Sequence, residues 1–148
     1  MGLLDSSAEE PESKLLRYIL TCAIFVGLLS WGTWWIFRFH KEKKTVEQFL
    51  NAVVANDLPQ AYKIWKPASG YSYQDFAEDW GPSGYYGPIK SFHIETAQKK
   101  SGATGIIVVV ELSPYQPFPD TNDKVKHYRT KEVYLWVESR DLSISFAP

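Results

Sequence analysis

One cysteine, one methionine and three histidines among 148 residues leave little reactive side-chain chemistry. Cys22 lies inside an apolar run, so an intrachain disulfide and a cysteine-ligated metal cluster are both excluded, and cysteine usage gives no clue to the redox compartment. His40, His93 and His127 are far apart, with no HExxH and no paired His or Asp spacing, so no metal site is expected. Nucleophile and phosphate motifs fail as well. There is no G-x-S-x-G, and PSGYYG around Gly84 is no phosphate loop. No cofactor and no catalytic residue set is expected.

Charge is missing altogether from Tyr18 to Phe37, YILTCAIFVGLLSWGTWWIF. About 20 residues at 1.5 Å each match a hydrocarbon core of roughly 30 Å, so the run is long enough to span a bilayer. Tyr18 at one end and Trp31, Trp34 and Trp35 at the other are rings of the kind found at membrane interfaces. Arg38, Lys41, Lys43 and Lys44 follow as a basic flank that suits lipid headgroups or a stop-transfer signal. The segment before the run is acidic, with Asp5, Glu9, Glu10 and Glu12 against Lys14, and the run ends in bulky aromatics. Both features argue for a retained anchor over a cleaved signal peptide. Gly27, Ser30, Gly32 and Thr33 are small enough for close helix approach. The expected organisation is an acidic tail over 1–14, a transmembrane helix over 15–39, a basic linker over 40–44 and one soluble domain over 45–148. Cations near the run favour the side after the helix, which by the positive-inside rule is cytoplasmic.

The soluble part is slightly acidic, which argues against nucleic acid. Val46, Phe49, Leu50, Val53 and Val54 recur at helical spacing, and Phe49 is expected in the core. Asp57 as N-cap with Pro59 in the first turn starts a second helix carrying Leu58, Ala61, Tyr62 and Trp65, which Lys66-Pro67 ends. Ser72 and Asp75 make a capping-box start for a third, with Tyr73, Phe76, Ala77 and Trp80. The Gly/Pro-rich segment 81–88 then breaks the pattern. Phe92 and Ile94 alternate with His93 and Glu95, whose face is expected to be wet. GIIVVVEL over 105–112 does not alternate, which suggests a central strand covered on both faces. Two alternating strands follow, with Val133, Leu135 and Val137 and then Leu142, Ile144 and Phe146. The intervening SPYQPFPDTNDKVKH is long for a hairpin loop and is expected to be mobile or functional; its PxxP match is of a kind common by chance.

Helices followed by strands give an α+β class, with helices on one face of a curved antiparallel sheet of about four strands. The stretch VEQFLNAVVANDLPQAYKIW followed by YSYQDFAEDWGPSGYYGPIKSFHI resembles the nuclear transport factor 2-like superfamily over roughly residues 44–148. That resemblance implies three helices on a cone-shaped sheet enclosing an apolar cavity, and dimerisation through the open sheet face. Members include dehydratases and isomerases as well as non-catalytic modules, so fold does not supply function. It also implies a domain tethered outside a bacterial inner membrane, against the charge count.

Under this reading Tyr62, Trp80, Phe92, Tyr134 and Trp136 are ligand-pocket candidates, with ordinary core packing as the competing role for Tyr62 and Trp80. Tyr71, Tyr85 and Tyr86, in Gly/Pro-rich loops, are surface-contact candidates. Glu111 is either a buried carboxylate or a rim residue. The expected function is a single-pass, membrane-tethered, non-catalytic binding or protein-interaction domain, with a protein partner or homodimer. A small-molecule site or an isomerase-type enzyme in the cone is the alternative.

Overall fold

The structure, a computed structural model, describes residues 10–66 and 70–148, so Asp5, Glu9 and Pro67 lie outside the described residues. The chain divides between Arg38 and Phe39 into two compact units. The first is one helix, α1 (Glu10–Phe37), 28 residues or about 42 Å long. It is long and apolar enough to cross a membrane, a test that a signal sequence near an N-terminus also passes. Tyr18, Trp31, Trp34 and Trp35 are exposed, and the Arg38 guanidinium sits 5.5 Å from the Trp34 ring centre. Two hydroxyls are satisfied within the helix: Thr21 donates to the Arg17 carbonyl at 2.8 Å and Thr33 to that of Leu29 at 2.7 Å, which spares each the cost of an unpartnered polar group in lipid.

The second unit begins with α2 (His40–Val54), so Lys41, Lys43 and Lys44, expected in a linker, lie in the first turns of this helix. The apolar periodicity begins at Val46, whereas the helix extends upstream through residues that favour helix without packing. Val46, Phe49, Leu50 and Val53 are buried, with Val54 at the edge of the stripe. α3 (Leu58–Trp65) starts where Asp57 accepts from the Gln60 N–H, and stops at Lys66, whose φ of 50° leaves the helical region. α4 (Tyr73–Trp80) opens with a complete capping box between Ser72 and Asp75 and buries Phe76 and Trp80.

The sheet is an antiparallel meander of β1 (Ser91–Gln98), β2 (Gly105–Ser113), β3 (Lys131–Glu138) and β4 (Ile144–Phe146), in that spatial order. A four-residue helix, α5 (Lys126–Arg129), interrupts the β2–β3 connection. One sheet face carries Ile106, Val108, Val110 and Leu112 of β2, Val133, Leu135 and Val137 of β3, and Ile144 of β4, all in the core with residues of the three longer helices. An irregularity between Ile94 and Thr96 shifts the alternation of β1, so that Ala97 joins Phe92 and Ile94 on this face.

The strand β2 is central, as expected, and its other face is covered by different means. Val109 is buried but Ile107 and Glu111 are only partly so, shielded by cross-strand neighbours such as Trp136 and Tyr134 rather than by a second layer of helices. His93 and Glu95 are exposed on that side, as expected. Gly105 lies under Trp136, and a Cβ there would come within 2.4 Å of the Val137 carbonyl oxygen and 2.8 Å of the Trp136 ring. Gly105→Ala is therefore expected to cost about 1–3 kcal/mol through overpacking. Phe49→Ala, at a fully buried position, is expected to cost about 3–5 kcal/mol. Thermal unfolding of the full chain in detergent checks both, and unchanged midpoints would contradict the packing described.

Candidate functional site

The space between helices and sheet is occupied by rings. Phe49 packs 5.1 Å from Trp65, 6.0 Å from Phe76 and 5.0 Å from Trp80, the last edge to face. Phe146 reaches in from β4 to 5.1 Å from Trp65, and it lies parallel to Trp80 at 6.0 Å. Tyr62 seals the outside, 5.3 Å from Phe76 and 5.5 Å from Tyr73, and its hydroxyl donates to the Tyr71 carbonyl at 2.7 Å.

These positions separate the five pocket candidates. Trp80, 1% exposed, is core; Tyr62 and Phe92 pack against the core, partly buried. Tyr134 and Trp136 alternate with Val133, Leu135 and Val137 and so lie on the opposite sheet face, where Tyr134 is 52% exposed. The five thus face two sides of one sheet and do not come together as one set.

The surface set divides too. Tyr85 is 69% exposed. Tyr86 instead stacks on Trp80 at 4.9 Å, and Tyr71 packs on Trp65 at 5.9 Å while donating its hydroxyl to Asp79 at 2.6 Å. Loop residence suggested free rings, but both loops fold back onto the core edge. Lys131 is fastened beside Tyr85, donating to its carbonyl at 2.7 Å with the ammonium 4.5 Å from its ring centre. Tyr115 and Tyr128, the latter 80% exposed, are surface rings that helical or strand spacing gave no reason to select.

A solvent-facing groove of ≈ 360 Å³ runs along β4, walled by Trp65, Tyr71, Trp136 and Phe146. It joins one member of each predicted set, Trp136 and Tyr71, around the edge of the sheet. Its polar fittings are Lys66, Glu138, Ser143 and Ser145. Glu138 is already engaged by Thr104 at 3.0 Å and by the Trp136 indole at 3.4 Å.

A polar recess of ≈ 420 Å³ on the open sheet face is lined by Glu111, Lys126, Thr130 and Glu132. Glu111 and Glu132 are direct cross-strand partners, and His93 pairs Glu111 from the other side. Lys126 relieves the like-charge pair by meeting Glu111 at 2.7 Å, while the Tyr134 hydroxyl donates to Glu132. Glu111 is thus a partly buried, ion-paired residue of the sheet rather than an unpaired carboxylate in a cavity. Phe118 comes over His93 at 5.8 Å, and the connection is tied down further by Ser113, whose hydroxyl donates to the Arg129 carbonyl at 2.9 Å and accepts from the Tyr115 N–H at 3.2 Å. The long connection, expected to be mobile or functional, is fastened at both ends.

No group of three or more His, Cys, Asp or Glu suited to a metal occurs among the described residues. The perturbed phenols all move away from neutrality. Burial, then the hydrogen bond to Asp79, pushes Tyr71 up; burial, then Tyr85, raises Tyr86; the Glu132 carboxylate raises the exposed Tyr134. None is tuned toward the neutral range that general acid–base work requires. No family model, curated protein or solved structure matches the chain.

A phenol whose folded pKa is raised favours the folded state below its unfolded pKa, about 10, and loses that contribution as the pH rises through the folded value. In a spectrophotometric titration of the full chain, three tyrosines should ionise above the ordinary tyrosine range, with unfolding setting in at alkaline pH. Tyr71→Phe should remove one of these late transitions. Ionisation of every tyrosine at ordinary pH would contradict the Tyr71–Asp79 geometry.

Proposed function

We propose that this chain is a single-pass membrane protein whose domain is a non-catalytic binding or protein-interaction module, an accessory subunit of a membrane or envelope assembly. The observation that carries this reading is the ring-filled interior, where Phe49, Trp65, Phe76 and Trp80 take the place of a ligand cavity. An enzyme of the isomerase or dehydratase kind needs an acid or base facing such a cavity. Here the polar row His93, Glu111 and Glu132 lies on the open face instead. The anchor is α1, whose length and composition suit a bilayer. Its aromatic ends are the lipid contacts.

Membership of the nuclear transport factor 2-like superfamily, with the sheet bent into a cone, belongs to the same proposal. Three helices leading into a four-stranded antiparallel meander support it. The placement of the domain on the outer side of a bacterial inner membrane belongs to the same proposal. The partner is a protein or a second copy of this chain. A second reading, a small-molecule binder, draws on the ≈ 360 Å³ groove whose walls include Tyr71 and Trp136.

Purification of the full chain from its native membranes in mild detergent, followed by native mass spectrometry, separates the two. A stoichiometric protein complex that weakens when exposed Tyr85 and Tyr128 are changed to Ser supports the interaction module. A chain that runs alone and carries a small molecule, lost on Trp136→Ala, would replace it with the second reading.

A further inference from the structure

We propose that the end of the domain nearest α1 in sequence is a composite basic surface that docks on anionic lipid headgroups. The proposal rests on the reading of α1 as a membrane anchor. Three separate stretches of chain build this end. Lys41, Lys43 and Lys44 lie in the first turns of α2; Lys99 and Lys100 lie at the β1–β2 turn; Arg140 lies at the β3–β4 turn. Hydrogen bonds hold the three together. The Ser139 hydroxyl donates to Glu42 of α2 at 3.0 Å, its N–H donates to the Thr104 carbonyl at 3.3 Å, and the Thr104 hydroxyl donates to Glu138 at 3.0 Å.

Three carboxylates share this end with the six cations. Glu42 and Glu138 take the bonds just named, and Asp141 accepts from the Ser143 N–H at 3.0 Å, which holds its carboxyl below the usual range. The cations make no ion pair among the described residues: the two found there join Lys126 to Glu111 and Arg129 to Asp123. Lys41, Lys44, Lys99, Lys100 and Arg140 are exposed. Of the remaining acids, Asp57 precedes α3, Glu78 and Asp79 lie in α4, and Asp120 and Asp123 share the β2–β3 connection with Lys124, Lys126 and Arg129. That connection joins strand ends opposite to the two basic turns. Over 39–148 the formal charges cancel, and six cations against three carboxylates make this end basic.

Chain length supplies the occupant. Phe37 ends α1 and His40 begins α2, so at most about 11 Å of extended chain separates them. With α1 in a bilayer, the first turn of α2 stays within reach of the headgroups, as do the β3–β4 turn bonded to it and the β1–β2 turn bonded to that. Basic flanks immediately after a spanning run are common; Lys99, Lys100 and Arg140, far away in sequence, are not accounted for by a stop-transfer signal.

The test uses the full chain with Cys22→Ser and a fluorophore on Ser101→Cys, reconstituted into nanodiscs of phosphatidylcholine alone or mixed equally with phosphatidylglycerol. Each disc carries a lipid with a headgroup-bound nitroxide quencher. Quenching at position 101 should be severalfold stronger in the anionic discs and should disappear near 1 M salt, where the screening length falls to about 3 Å. A label at Ser83→Cys, in the loop after α4, should be quenched equally in both discs. Each cation near such a surface favours contact about fivefold, so K99Q/K100Q/R140Q should lower the docked-to-free ratio about a hundredfold. Equal quenching at 101 in both discs, or insensitivity to salt, overturns the proposal without reference to the variant's folding. Flotation of the chain with either lipid mixture at high salt tests the anchor separately. Flotation without anionic quenching leaves the anchor and removes the docking surface, whereas no flotation removes both.

Discussion

Ring packing between α2, α3, α4 and the sheet is the constraint on which the rest of this domain depends. Phe49 stands at its centre, with Trp65, Phe76 and Trp80 each within 6.0 Å, and Phe146 completes it from the last strand. Large flat side chains bury much area for little side-chain entropy, which lets a short domain of three small helices and four strands hold together without disulfides. The same rings take up the volume in which a ligand would sit. In the proposed reading, stability and surface recognition then share one cause.

Local rules made the helices legible. The stripe Val46, Phe49, Leu50 and Val53 and the caps at Asp57 and Ser72 depend only on neighbours within a few residues, and they appear where the sequence places them. Long-range features were less legible. Alternation showed that Tyr134 and Trp136 share a face but not which face, because that is decided by which set, theirs or Val133, Leu135 and Val137, meets the helices. The run over β2 suggested cover on both faces, which it has, but not that on one side its neighbours' long side chains would supply it. Ser113, which ties both ends of the β2–β3 connection, carries no sequence signal at all, since its partners Tyr115 and Arg129 meet it only through loop geometry. Tyr71 and Tyr86 misled for the same reason.

Charge adds a second layer to this picture. On the open face Lys126 meets Glu111 and the Tyr134 hydroxyl donates to Glu132, while at the basic end exposed cations outnumber the carboxylates. In the proposed reading, a tethered module with a ring-packed core, a polar open face and a basic end holds position beside a bilayer and offers exposed rings such as Tyr85 and Tyr128 to a partner.

The most direct test of the filled interior is the Trp80 indole N–H, which is buried and makes no hydrogen bond to the described residues. Its resonance in an NMR spectrum of the full chain in micelles should be single, slow to exchange with solvent, and unmoved by excess indole or another small apolar ligand. A Trp80 signal that exchanges quickly, or that shifts in a saturable way with added ligand, would mean that a cavity opens between helices and sheet, and it would return the function to the interior.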